Sequence, residues 1–240
     1  MRALVLTCGR EEYLARTVET MRVYVQGLSE LVVVDDSGDP EHLLRVRNLD
    51  GVDRVEPVHP TRNLGYTAAM AEVYRLASDA EFTFVSEDDF TYERPIDLNE
   101  IAAVMRSNPH LRQMALRRQP WYPAEIEAGG VMEHAERRGL RRRLGWTNPA
   151  VRPASLALGP VSATHGKLVE WEEHRLYWTN NPHVLPIEVA RLGWPRGRWS
   201  EAAQGRRIFR DPQAWSGVWG LRESGWWVEH IGHEKAGHGY

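Results

Sequence analysis

Three short runs constrain this chain more than any other feature: ALVL at residues 3–6, LVVV at 31–34 and FTFV at 82–85. Each is branched or aromatic, carries no charge and has only the length of a strand, so each reads as a strand buried on both faces. Between the first two, residues 11–26 set Leu14, Val18, Met21 and Val25 on one helical face. A second helix fits residues 66–77 through Met70, Val73 and Ala77, and a third fits 98–105, stopped by Asn108-Pro109. Strands alternating with helices predict an α/β layer on a mostly parallel sheet.

Ligands of open α/β sheets bind beyond the carboxyl ends of the strands, so the residues that follow the runs come first for chemistry. They are Thr7, Cys8, Gly9 and Arg10, then Asp35, Asp36, Ser37 and Gly38, then Glu87, Asp88 and Asp89. One rim thus gathers an arginine and five carboxylates. Three consecutive acids repel one another, and water, a buried partner or a metal ion carrying a substrate could each compensate them. Asp35 and Asp36 also suit a plain turn with Ser37 and Gly38. No Gly-x-Gly-x-x-Gly follows the first run, and residues 159–167 have the wrong spacing for a P-loop, which disfavours a Rossmann dehydrogenase and a P-loop enzyme. The rim can instead hold a divalent cation through carboxylate oxygens, with arginine at hand for phosphate. A nucleoside diphosphate would satisfy both.

Past about Arg117 the texture changes. Most of the ten tryptophans fall after Gly145, with Trp121 just upstream, among frequent arginine, proline and glycine. Such a stretch builds surfaces and pockets more readily than a regular layer. Arg137, Arg138, Arg141, Arg142 and Arg143 form a basic patch, either a solvated helix face or a surface that steers a polyanion such as DNA. The net charge of -3 argues against a globally basic nucleic-acid binder. Cys8 is the only cysteine, which excludes an intramolecular disulfide and a cysteine-rich zinc module. The first apolar run is too short for a signal peptide and no segment has the length of a membrane span, so a cytoplasmic location is expected. His230, His233 and His238 fail the His-Glu-x-x-His pattern of a zinc hydrolase.

Taken in order, LTCGR, VVVDDSGD, RNLGYTAAM and FVSEDDF resemble the GT-A superfamily of nucleotide-sugar glycosyltransferases, especially its family 2-like members. EDDF also resembles the metal-binding motif of the eukaryotic N-acetylglucosaminyltransferase I enzymes. The resemblance implies a single GT-A-like, Rossmann-like domain over residues 1–240, its mostly parallel sheet flanked by helices. Residues 1–116 would bind a nucleotide-sugar, and 117–240, rich in tryptophan and arginine, would bind the acceptor and close the site.

By the same resemblance Asp36 would recognise the donor base, Arg10 would approach the phosphates, and Asn63 to Gly65 would lie along the nucleotide. Thr7, Asp35 and Glu87 would border the donor, Asp88 would face the ribose, and Asp89 would bind Mn²⁺ or Mg²⁺. Ser86 stands where many family 2 proteins carry the first aspartate of Asp-x-Asp. Ser200 reads as a helix N-cap, and Glu201 falls on the segment bearing the catalytic base of inverting enzymes. VEHIGHEKAGHGY resembles the loop that closes over the donor, with His230, then His233 and His238, as candidates to complete the metal shell. The implied activity is metal-dependent transfer of a sugar, foremost from a UDP-sugar, to a hydroxyl acceptor, with a glycan and modified DNA both open. A nucleotidyltransferase acting on a sugar phosphate and a non-catalytic sugar or nucleic-acid binding module are the alternatives.

Overall fold

In a computed structural model the described residues are 1–138, 151–159 and 167–232. Nine strands form the main sheet: β1 (Arg2–Thr7), β3 (Glu30–Asp35), β4 (Arg54–Pro57), β5 (Phe82–Glu87), β8 (Leu111–Leu116), β9 (Val151–Leu158), β10 (Lys167–His174), β11 (His183–Pro186) and β12 (Trp215–Trp219). Their spatial order is β4-β3-β1-β5-β11-β8-β12-β10-β9. Only β11 and β10 run against the rest, as the pairings along the sheet require. Two small ribbons flank it, β2 (Val25–Gln26) with β7 (Ile96–Asp97) and β6 (Phe90–Tyr92) with β13 (Val228–His230).

The three apolar runs become β1, β3 and β5, in register as Leu4↔Val32 and Leu4↔Val85. Side chains alternate faces along a strand, so each run supplies two layers. Ala3, Val5, Leu31, Val33 and Phe84 pack on one side with Leu14, Val18 and Met21 of α1 (Glu11–Tyr24) and Ile101, Val104 and Met105 of α4 (Leu98–Ser107). Leu4, Leu6, Val32, Val34 and Val85 pack on the other with Met70, Val73 and Ala77 of α3 (Tyr66–Ala77). Both faces of the central strands are therefore covered. This is why their sequence shows continuous apolar runs and no polar alternation.

Two details depart from the sequence reading. The first helix stops at Tyr24, and Val25 turns extended to pair with Ile96. The second half is also more regular than its composition suggests, since β11 inserts between β5 and β8, and β12, β10 and β9 extend the same sheet. Alternation is masked in β11 and β12, which are short and contain His183, Pro186 and Gly217, while the tryptophans serve as core: Trp171, Trp178, Trp194 and Trp219 are buried. Among the described residues no helix is long and apolar enough to cross a membrane.

The Asp97 side chain accepts from the Asn99 N–H at 2.8 Å and caps α4, which covers β8 and β11. Asp97→Ala is expected to lower stability by about 1 kcal/mol in urea unfolding, the usual value of an N-cap.

Candidate functional site

The carboxyl ends of β1, β3 and β5 bring Thr7, Arg10, Asp36, Glu87 and Asp88 to one edge, where they border a cleft of about 660 Å³ closed on its far side by Asn63–Tyr66 and by Gly197–Ser200. A second cleft of about 520 Å³ adjoins it and shares Cys8, Arg10, Tyr66, Glu87, Trp199 and Ser200. Asp89, Glu201 and His230 line this second space.

Between the two lies a compact charge cluster. Arg10 bonds Asp88 through two of its nitrogens and reaches Asp89 Oδ2 through Nη1 at 2.7 Å. Thr7 Oγ1 donates to Asp88 Oδ2 at 2.6 Å, and Thr17 Oγ1 of α1 donates to the Asp88 carbonyl at 2.7 Å. Burial pushes the Asp88 carboxyl up to about 6, against the downward pull of Arg10 and Thr7. For Asp89 burial also acts upward, but the hydrogen bond from His230 and the charge of Arg10 outweigh it and hold the carboxyl below its ordinary value. For Glu87 the pull of Arg10 is outweighed: burial and the charges of Asp89, Glu201 and Asp88 raise its carboxyl well above the ordinary value.

Asp36 organises the wall opposite. Its two oxygens accept from the N–H groups of Leu64 and Gly65, each at 2.8 Å, and Asn63 Nδ2 donates to its carbonyl at 2.6 Å. Gly38 makes this closeness possible: it sits at φ 65°, and a Cβ there would collide with the backbone of Arg62 and Asn63. Asp36, Asn63 and Gly65 therefore act together on the first cleft. Asp35 does not join them. Its Oδ1 accepts from the Ser37 N–H at 2.7 Å and lies 4.0 Å from His42 Nε2 of α2 (Pro40–Arg47), so its turn-forming role prevails and it lines neither cleft.

Residues far along the chain complete the second cleft. β13 pairs antiparallel with β6 in the register His230↔Phe90, and the Ile231 N–H donates to the Asp89 carbonyl at 2.8 Å. This sets His230 Nε2 3.4 Å from Asp89 Oδ2. Gly232 is required there, because a Cβ would stand 2.5 Å from the same oxygen. The imidazole packs against Trp121, with ring centroids 4.2 Å apart, and the N–H of Trp121 is held by Glu125 Oε2 at 3.0 Å. Glu201 lies in the first turn of α5 (Ser200–Ile208), where its Oε1 accepts from the Asn180 N–H at 2.9 Å. Burial raises its carboxyl above the ordinary value, and that hydrogen bond only partly opposes the shift. Ser200 is the first helical residue and not the N-cap expected of it. The cap position belongs to Trp199, in the left-handed region at φ 61° and ψ 34°.

Among the described residues no three His, Cys, Asp or Glu side chains gather closely enough to hold a metal ion by themselves. What exists is one carboxylate beside one imidazole: Asp89 Oδ1 is buried without a hydrogen-bond partner among the described residues, and His230 turns Nε2 toward the other oxygen of the same carboxylate at 3.4 Å. A hard divalent cation accepts such a carboxylate and fills its remaining positions from oxygens of a ligand, so the pair fits a cation that arrives with a diphosphate. Ser86, in place of another aspartate, is buried and takes a hydrogen bond from the Tyr92 hydroxyl at 2.9 Å; it adds no ligand. His233 and His238 lie outside the described residues, as do Arg141, Arg142 and Arg143 of the basic patch.

Sequence reasoning did not single out Tyr66, Arg118 or Asn180, and it reached Trp121 and Trp199 only as members of the tryptophan group, a few of which were expected to stack on sugar or base faces. Tyr66 bridges Asn180 and Glu87, donating to Glu87 Oε1 at 3.3 Å and accepting from Asn180 Nδ2. The one signal for Asn180 was a polar Asn-Asn-Pro directly before a short apolar run.

No protein-family model matches the sequence, and no curated protein matches it either. Solved structures do match the fold. The chain superposes over 98% of its length on S. aureus TarS 1-349 in complex with UDP-GlcNAc, at a TM-score of 0.57 and 12% identity, covering 61% of that chain. A mannosyltransferase from Pyrobaculum calidifontis in complex with GDP-Man and Mn²⁺ matches at a TM-score of 0.53 and 12% identity, over 98% of this chain and 57% of that one. The chain thus spans less than two thirds of these neighbours' length. Identities this low speak for the fold, and the fold is the GT-A type that the sequence resembles.

Arg10 is the main counter-charge to the buried acids, so Arg10→Met is expected to lower stability by about 3–5 kcal/mol in metal-free urea unfolding at neutral pH. The loss should shrink as pH falls through the raised Asp88 value, because protonated Asp88 no longer needs a cation. A pH-independent loss would show that Arg10 acts by packing alone.

Proposed function

We propose that the protein is a glycosyltransferase that moves a sugar from a nucleotide-diphosphate donor in the first cleft to a hydroxyl acceptor in the second. One observation carries this reading. The two clefts meet at a shared wall where Arg10 stands on one side and the raised carboxyl of Glu201 borders the other. A bond transferred between two bound molecules requires such a junction. The ligands named for the structural neighbours, UDP-GlcNAc and GDP-Man, are both nucleotide-sugars.

In this reading the nucleoside lies along the loop that Asp36 folds, between Asn63 and Gly65, and Thr7 and Asp88 border it. The expected division at residue 116 does not hold for the two clefts, since Gly197–Ser200 border the first and Arg10, Tyr66, Glu87 and Asp89 border the second. Arg10 faces the diphosphate. Glu201 takes the proton of the acceptor hydroxyl as that oxygen bonds to the sugar carbon, and the carbon–oxygen bond to the diphosphate breaks with its electron pair leaving on phosphate. Attack from the side opposite the leaving group inverts the sugar carbon. Asp89 and His230 would hold Mn²⁺ or Mg²⁺, whose chemistry is to neutralise charge on the leaving diphosphate. Desolvation suits Glu201 to the role, since a carboxylate whose value is raised above the ordinary one accepts a proton more readily.

Two expectations follow for assays of UDP-sugar and GDP-sugar turnover. Glu201→Gln should cut turnover by about 10²–10⁴-fold while the thermal shift produced by UDP persists. In the wild type, turnover should rise with pH through the raised Glu201 value and then level off. Asp89→Ala should remove the part of the UDP-induced stabilisation that depends on Mn²⁺. An Asp89→Ala protein that UDP and Mn²⁺ stabilise as strongly as the wild type would refute the metal assignment.

A further inference from the structure

We infer that the second cleft binds an uncharged carbohydrate ring against the indole of Trp199 and selects against phosphorylated or otherwise polyanionic acceptors. The inference deepens the proposed function and rests on it for the word acceptor. Three observations carry it.

The first is Trp199 itself. It alone among the described non-glycine residues has a positive φ, it is 70% exposed, and it borders both clefts one residue before the turn that carries Glu201. A bulky residue in the left-handed region is strained. Burial within the chain does not offset that strain, since the indole is mostly in solvent. An exposed aromatic face held at cost beside a reactive carboxylate suits stacking on the C–H face of a sugar.

The second is the charge balance. Of the arginines that line this cleft, Arg118 is committed to the two carboxylate oxygens of Glu125 at 2.8 and 3.0 Å, and Arg10, paired with Asp88 and Asp89, is shared with the first cleft, where the proposed function assigns it to the donor diphosphate. His230 pairs with Asp89. Asp89 and Glu201 complete the charged lining of this cleft with Glu87, and the further arginine near Trp199, Arg198, lies 5.4 Å over its ring and lines the first cleft, not this one. A second anion brought near Glu201 or Asp89 would be repelled.

The third is the neutral polar part of the lining. Asn180 and Asn181 border the cleft, and Asn180 Oδ1 is buried with no hydrogen-bond partner among the described residues. An orphan amide oxygen calls for a donor, which a sugar hydroxyl supplies and a dianionic phosphate does not. Tyr122, 51% exposed and packed on Trp121, adds a second aromatic face.

The test uses the whole chain with UDP and Mn²⁺ on a printed array of glycans, each neutral glycan paired with its phosphorylated or sulfated form, plus a single-stranded DNA oligonucleotide. The UDP-induced thermal shift is measured on the same sample. Expected is retention of at least one neutral glycan over its charged counterpart, reduced about tenfold or more in Trp199→Ala, since losing a stacking face costs roughly that much, and largely restored in Trp199→Phe. Trp199→Gly should lose retention as well, yet its melting temperature should hold or rise by about 2 °C, because glycine adopts this backbone without strain. A fall in melting temperature with retention intact would mark Trp199 as structural and overturn the inference. So would better retention of charged glycans or DNA, or no retention by a protein that UDP stabilises. Those outcomes leave the donor reading standing. Retention of neutral glycans without a UDP shift would do the reverse, sparing this inference and removing the donor.

Discussion

Arg10 sits where Asp88 and Asp89, both buried, would otherwise face each other uncompensated at the open edge of the sheet. Three acids in a row after a buried strand are tolerable only because of this arrangement. Burying carboxylates is expensive, and the cost is met by one guanidinium, the Thr7 hydroxyl and the His230 imidazole acting together. Glu87, which Arg10 compensates least, has its carboxyl raised well above the ordinary value instead. The cluster is thus a set of unequal carboxyls with different tasks. Asp88 ties β1 to the turn after β5, Asp89 keeps an open oxygen, and Glu87 hands a hydrogen-bonding chain through Tyr66 to Asn180 and on to Glu201.

The fold exists to make that edge. Parallel pairing of β1, β3 and β5 aligns their carboxyl ends, and the helices on both faces leave only the edge open. The later chain then returns twice. β11 enters beside β5 after the Asn180-Asn181 pair, and β13 runs along β6 to carry His230 beside Asp89. Both returns are long-range, and each fixes a polar group within a few ångströms of the acids.

How much of this was legible depended on how local the signal was. Residues 3–6, 31–34 and 82–85 announced their strands because both faces are buried, and the residues just beyond them announced the edge. Thr7, Arg10, Asp36, Asn63, Gly65, Glu87 and Asp88 do border the first cleft, and Asp89, Glu201 and His230 the second. Asp35 was misplaced because its carboxylate is taken up by its own turn, accepting from the Ser37 N–H: Thr7 and Asp35 are register partners, yet only the threonine meets the acids. The identity of the counter-ion was not readable, since Arg10 and Asp88 are brought together only by pairing of β1 with β5. Trp199 was equally hidden. Nothing in RGRWSE distinguishes a strained, exposed indole from a packed one.

A crystal structure of the protein grown with UDP and Mn²⁺ tests the central claim most directly. The account predicts the nucleoside along Asp36 to Gly65, the diphosphate beside Arg10, and the cation on Asp89 with His230 as its neighbour. UDP bound away from Arg10, or a cation held by neither Asp89 nor His230, would contradict it.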